Sequence, residues 1–249
     1  MGRLRPITIP AINYPINHPS TRLPDYPMRT GVLLSGGLDS AVLLAQEAAT
    51  GYVQPLYVSV GLAWESAERA MVARLLKSAL FAALPPLASL TVDMRDVYAA
   101  THWAVTGHPP SYHTPDEDVY LPGRNIVLLG KAGVYAAGAH LDRIVLGTLA
   151  HNPFPDATDE FRAAMARALT LGLAHNLHIE APYAGTSKAD VIRRGATLRV
   201  PFELTLSCMS PVDGQHCGTC SKCRERHDAF LEAGMPDPTT YADHRFVGA

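Results

Sequence analysis

The sequence predicts an α/β fold: a mainly parallel five-stranded sheet with helices on both faces, carrying a small four-cysteine segment at its C-terminal end. Three observations predict it. Short apolar runs alternate with longer amphipathic stretches from residue 30 onward, the pattern of repeated strand–helix units. A glycine-rich turn, "SGGLDS", follows the first run and opens the first helix. All four cysteines lie beyond residue 207.

Each element has its own justification. Residues 1–29 contain "TIPAINYPINHPSTRLPDYP", whose repeated prolines exclude a regular helix and favour an extended arm. "TGVLLS" is the first strand, and a helix follows from about Asp39 to Thr50. "QPLYVSV" is the second strand, followed by a helical pattern from Trp64 to about Phe81; "ASLTVDM" is the third strand. Residues 95–121 form a long irregular insert, and loops of that length inside a compact domain serve as lids or binding loops. A helix begins near "GRN" and runs through Ala139. "DRIVLGT" is the fourth strand, "DEFRAAMARALTLGLAH" a helix and "HIEAP" the fifth strand. "TSKADVIRRGATLRV" opens on an N-cap, Thr186 or Ser187, with Asp190 in its first turn. In such sheets ligands bind beyond the carboxyl ends of the strands.

Composition narrows the classes of function. At 249 residues, 47% hydrophobic and 18% charged, the chain suits one domain, or one with a small appendage. A net charge of −2 and a pI near 6.6 argue against a nucleic-acid binder. No apolar run approaches the ~20 residues that span a bilayer, so a cytoplasmic protein without a membrane partner is expected.

In the glycine turn, backbone N–H groups and the start of a helix favour an anion. Ser35, Gly36, Gly37, Leu38, Asp39 and Ser40 occupy that place, with Ser35 and Ser40 adding hydroxyl donors. The turn has no lysine, so it is not a Walker A loop, and no third glycine completes a dinucleotide fingerprint. A plain β–α turn capped by Asp39 is the bland reading of a lone SGG; the full string is more specific.

The cysteines fall as C-x8-C-x2-C-x2-C: Cys208, Cys217, Cys220 and Cys223. Four thiolates at ~2.3 Å close a tetrahedral Zn²⁺ site, so one structural zinc per chain is expected. Two disulfides, a redox dithiol, an iron–sulfur cluster and His216 as a substitute ligand are the competing readings. His102, His108 and His113 in the insert, and His175 and His178 further on, are read as packing and helix-end residues rather than metal ligands.

"SGGLDS" directly after an apolar strand resembles the pyrophosphate loop of the N-type ATP pyrophosphatases. With the C-terminal cysteines, the chain from about residue 30 to 235 resembles the 7-cyano-7-deazaguanine synthase family of the queuosine pathway. "LPGRNIVLL", "GTLAHNPFPDATDEF" and "APYAGTSKADVIRRGATLRVPFELTLSC" resemble further ordered blocks of that family. The resemblance implies a Rossmann-like, adenine nucleotide alpha hydrolase-like domain over residues 30–205 and a zinc-binding helical segment over 206–249. It implies ATP with Mg²⁺ as cosubstrate, cleaved between the α- and β-phosphates. The carboxylate of 7-carboxy-7-deazaguanine is adenylated, ammonia displaces AMP, and a second ATP drives the amide to the nitrile. A homodimer is the family habit.

Carried over residue by residue, the resemblance puts Leu34, Ser35, Gly36, Gly37, Leu38, Asp39, Ser40, Ala41, Val42, Leu43 and Leu44 at the ATP site. Asp39, Ser40, Lys188 and Arg124 become the catalytic candidates; Arg124, Asn125 and Asp156 become the substrate contacts. Lys188 at a helix start opposes the helix dipole, so an anion is expected beside it. Asp156 either meets the deazapurine N–H groups or caps the helix that follows. Two stretches depart from the family. "VGLAWESAE" replaces its Q-R-H run, with Trp64 near the histidine's place, and "HNPFPDAT" is shorter and less charged. Polar sites discriminate by the groups they leave unpaired. A paralogue joining the adenylate to another amine, such as one on a protein, and a non-catalytic nucleotide sensor are therefore the alternatives.

Overall fold

The computed structural model describes residues 28–246; apart from Met28 and Arg29, the expected N-terminal arm lies outside the described residues. Five strands, β1 (Thr30–Leu33), β2 (Val53–Ser59), β3 (Ala88–Thr91), β4 (Arg143–Val145) and β5 (His178–Glu180), form one parallel sheet in the order β3-β2-β1-β4-β5. β1 and most of β2 are buried, as strands covered on both faces must be, which is why they read as continuous apolar runs. Pro55 is tolerated inside β2 because β3 joins only from Leu56, so its missing N–H costs no ladder bond there.

Helices α1 (Leu38–Ala48), α6 (Lys188–Thr197) and α7 (Ser221–Ala233) pack together over one face, sharing a core with Val32, Tyr57, Val72 and Phe81. α4 (Arg124–Gly138) and α5 (Asp159–Leu173) cover the other through Leu129, Ala132, Leu141 and Ile144. α2 (Glu65–Leu75) and the four-residue α3 (Trp103–Thr106) border a third cluster that contains all four cysteines. Among the described residues no helix is long and apolar enough to cross a membrane.

The element order matches the sequence pattern, with three local differences. The second helix ends at Leu75 rather than near Phe81. Beyond it, three-residue bonds such as Ser78 N–H to Leu75 O and Phe81 N–H to Ser78 O carry Phe81 into the core, where it is 1% exposed. α5 stops at Leu173 because Ala174 turns into the left-handed region (φ 50°). The 95–121 insert is built rather than irregular. It holds α3 and a 3₁₀ turn at Asp116–Val119, and it bridges at Ser111 to Cys220. Tyr98, Ala104, Tyr112, Val119 and Leu121 bury it against the cysteine segment.

Candidate active site and metal centre

The chain switches direction across the sheet at β1, whose neighbours are β2 on one side and β4 on the other. At its carboxyl end the glycine turn leads into α1, and there a crevice opens. Gly36 has φ +82°, and a Cβ on it would come within 2.9 Å of Val72 Cγ2, so only glycine makes this turn. Ser40 donates its hydroxyl to Gly37 O (2.9 Å), and the Gly37 N–H reaches Ser35 Oγ (3.4 Å). Gly36 O accepts from Leu206 N–H at 2.7 Å, which ties the turn to the segment leading to Cys208. Gly147, just beyond β4, packs closely against the turn: a Cβ there would sit 3.3 Å from Asp39 Cβ and Ser40 N.

Two joined cavities, ≈ 270 and ≈ 350 Å³, lie over this turn. Leu34, Ser35, Gly37, Asp39 and Ser40 line the first, together with Arg124, Asn125 and Asp156. Leu38, Ala41, Val42, Leu43 and Leu44 are fully buried in the core beneath and support the turn from behind.

Asp39, in the first turn of α1, pairs through Oδ2 with Lys188 Nζ at 3.2 Å. Its Oδ1 is buried without a partner. Burial raises the Asp39 carboxyl, and Lys188 opposes that rise. Lys188 opens α6 after the N-cap Ser187, whose Oγ accepts from Asp190 N–H. The anions beside Lys188 are Asp39 and, at 2.6 Å, Glu225 of α7; Lys222 completes the row at 2.5 Å from Glu225. Burial works against the Lys188 ammonium, but the two carboxylates outweigh it and hold its pKa above the usual lysine range.

Arg124 opens α4 immediately after Gly123, and its Nε is buried with no hydrogen-bond partner. Asp156 caps α4 rather than the helix that follows it, accepting from Asn125 N–H at Oδ2 (3.2 Å); Thr158 caps α5. Asp156 Oδ1 is buried and unpartnered in the first cavity, and burial raises its pKa against the Asn125 bonds.

Several cavity residues were not anticipated. Glu68 lines both cavities; its carboxylate accepts from Tyr57 Oη (2.9 Å) and Trp64 Nε1 (3.1 Å). Burial pushes Glu68 up to about 7, although Arg124 nearby works the other way. Trp64 stacks on Trp103, with ring centroids 5.6 Å apart and planes 6° from parallel. A signal for Glu68 existed: Glu65, Glu68, Val72 and Leu75 fall at helical spacing on the buried face of α2, which puts two acids where apolar residues belong.

The four cysteine Sγ atoms lie within 4.8 Å of one another, with separations of 3.6 Å for Cys220–Cys223, 3.9 Å for Cys217–Cys223 and 4.0 Å for Cys208–Cys220. Those distances are far beyond a disulfide and close to the ~3.8 Å edge of a tetrahedron with ~2.3 Å metal–sulfur bonds. Backbone N–H groups of Ser210 and Cys217 point at Cys208 Sγ (3.3 and 3.2 Å), as suits a thiolate. His216 is not a fifth candidate: its Nε2 accepts from Ser207 N–H at 3.0 Å. Burial and Arg226 keep it neutral, lowering its pKa to about 3. His102 caps α3, and His175 bonds Leu141 O at 2.6 Å, both structural roles. Among the described residues the four cysteines are the one cluster able to hold a metal ion.

The family model for queuosine biosynthesis protein QueC matches residues 29–234 of this chain. The chain belongs to the QueC family. Curated QueC relatives agree along nearly their whole length. The 7-cyano-7-deazaguanine synthase of Anaeromyxobacter dehalogenans is 35% identical over 86% of this chain and 96% of its own. The Caldicellulosiruptor bescii protein of the same name is 34% identical over 86% of this chain and 97% of its own. Among solved structures, a predicted subunit of a tRNA methyltransferase from Methanocaldococcus jannaschii aligns at 15% identity, covering 89% of this chain and 97% of that one. Its TM-score of 0.46 is too low to inform a QueC site.

Proposed function

We propose that the protein adenylates the carboxylate of 7-carboxy-7-deazaguanine, or a close analogue, and transfers the acyl group to ammonia. A second adenylation then dehydrates the amide to the nitrile, 7-cyano-7-deazaguanine, so that AMP and pyrophosphate leave in each step. The observation that carries this reading is the glycine turn at the switch point of the sheet. Around it Asp39 Oδ1 and Arg124 Nε, both buried and unpartnered, belong to residues lining a single cavity. Curated relatives are named for the synthesis of that nitrile.

The roles follow from charge. The N–H groups of the turn and the start of α1 receive the leaving pyrophosphate, with the Ser35 and Ser40 hydroxyls at its edge. Lys188 supplies the cation that the turn lacks, from a different helix. Arg124 presents a fork matched to a phosphate or carboxylate. Asn125 and Asp156 sit across the cavity, where Asp156 Oδ1 can accept from a heterocyclic N–H. Mg²⁺ accompanying ATP would neutralise phosphate charge, and the unpartnered Oδ1 of Asp39 is the oxygen suited to hold it.

In the cysteine cluster we place one structural Zn²⁺ per chain; an assembly of several irons would spread its ligand sulfurs farther apart than these. We read residues 30–205 as the nucleotide-cleaving domain and 206–249 as the metal-binding segment, working in the cytoplasm on small molecules.

One observation favours a second reading, a paralogue that joins the adenylate to another amine. The two stretches that depart from the family face the same cavity: Trp64 and Glu68 on one side, His151 to Phe154 on the other. Incubation with ATP, Mg²⁺, ammonia and 7-carboxy-7-deazaguanine, followed by mass and AMP, separates the readings. Nitrile with two AMP per turnover supports the synthase, and AMP with amide or an adduct alone supports the paralogue. If no acyl candidate elicits pyrophosphate release, the adenylation reading fails.

A further inference from the structure

Any acyl transfer to an amine must dispose of a proton. The nitrogen carries one more hydrogen than the amide product keeps, and a group at the reacting centre speeds the transfer by accepting it. Four carboxylates line the joined cavities: Asp39, Glu68, Asp156 and Glu225. Asp39 and Glu225 are committed to Lys188. Asp156 lines only the first cavity and is engaged by the start of α4.

Glu68 combines what the other three do not: like Asp39 it lines both cavities, but unlike Asp39 it has no cation within ion-pair distance among the described residues. Neutral donors on two elements fix its orientation, Tyr57 from β2 and Trp64 at the start of α2, and a lone pair remains free on each oxygen. Its helix rests on the glycine turn: a Cβ on Gly36 would lie 3.4 Å from the Glu68 carbonyl oxygen.

From this placement we propose that Glu68 is the general base for the amine, a role that rests on the adenylation reading above. As the amine nitrogen bonds to the acyl carbon, the carbon–oxygen bond to AMP breaks and AMP leaves with that electron pair. The surplus N–H proton passes to a Glu68 carboxylate oxygen and later to solvent, which restores the base. The groups facing it are Tyr57 from β2, Trp64 and Glu65 from the start of α2, and Arg124 from α4. Burial among them keeps the carboxyl near neutrality, where a base both accepts and releases protons readily.

Glu68→Gln is the test variant, because an amide can keep the Trp64 bond and reverse the one to Tyr57. Two reactions are measured: acid-dependent ATP–pyrophosphate exchange, which reports adenylation, and single-turnover amide formation as a function of free ammonia and pH. The expected result is exchange within about threefold of wild type and amide formation slowed roughly 10²- to 10⁴-fold, with the acidic limb of the pH profile abolished. Glu68→Asp, which keeps a carboxylate, should recover part of the rate and the limb. Equal loss of exchange and amide formation in Glu68→Gln, or unimpaired amide formation, overturns the proposal while leaving adenylation standing. A wild-type protein without acid-dependent exchange overturns the adenylation reading and this proposal with it.

Discussion

Lys188 Nζ lies 3.2 Å from Asp39 Oδ2, joining the first residue of α6 to the first turn of α1 across the mouth of the cavity. The two residues stand 149 positions apart in the chain. The cation missing from the glycine turn is thus present in space, held from behind by Glu225.

Replacing Lys188 with Met should leave Asp39 and Glu225 as uncompensated neighbours. Removing one partner of a buried pair costs roughly 3–5 kcal/mol. The low end applies here, because the Asp39 and Glu225 side chains keep 21% and 22% exposure. Urea unfolding should show that loss, and exchange should fall roughly 10²- to 10³-fold as charge stabilisation of the pyrophosphate disappears. Lys188→Arg should restore much of the stability.

Gly147→Ala tests the contact between β4 and the turn. Its Cβ would press on Asp39 Cβ and Ser40 N at 3.3 Å, so the turn must shift by a few tenths of an ångström. The expected outcome is a folded protein whose kcat/KM for ATP falls roughly 10- to 100-fold, read from steady-state kinetics. An unchanged value would separate the turn from ATP binding.

Cys220→Ser removes one metal-ligand sulfur while leaving a competent N-cap residue at the start of α7, so its effect reports on the cysteine cluster rather than on helix capping. Metal content by mass spectrometry should fall below that of wild type, and the melting transition should drop sharply. Structural zinc contributes on the order of 10 kcal/mol to segments of this kind. A chelator should reproduce the effect in wild type. Because Gly36 O accepts from Leu206 N–H, ATP affinity should weaken alongside.

Glu68 also imposes a pH dependence on stability. Its folded pKa of about 7 lies above the ordinary 4.5, so between those values the folded state holds a proton that the unfolded state has released. Stability therefore falls as pH rises through that window, by about 3 kcal/mol in all. Glu68→Gln should abolish that slope, gaining on wild type from pH 5 to pH 8 in paired urea titrations. Parallel curves would show that Glu68 is ionised throughout.

How much of this was legible beforehand depends on the range of the interaction. The alternation of runs, the "SGGLDS" turn and the C-x8-C-x2-C-x2-C spacing are local signals; each specifies strands, a glycine turn or a set of clustered cysteines within a few residues. The order of elements and the candidate residues of the turn came from these. The end of α2 was misplaced because its apolar pattern continues through residues that bond in three-residue turns.

By itself, then, the sequence determined the α/β architecture, the glycine turn and the thiolate set, because short-range geometry and chain order suffice for each. Only the tertiary structure decided which charges meet. It brought Lys188 and Glu225 to Asp39, set Asp156 on α4 rather than α5, and turned Glu68 into both cavities. The physical reason is that ion pairs and shifted carboxyls depend on burial and on partners contributed by separate helices, and neither is written in the spacing of any one segment.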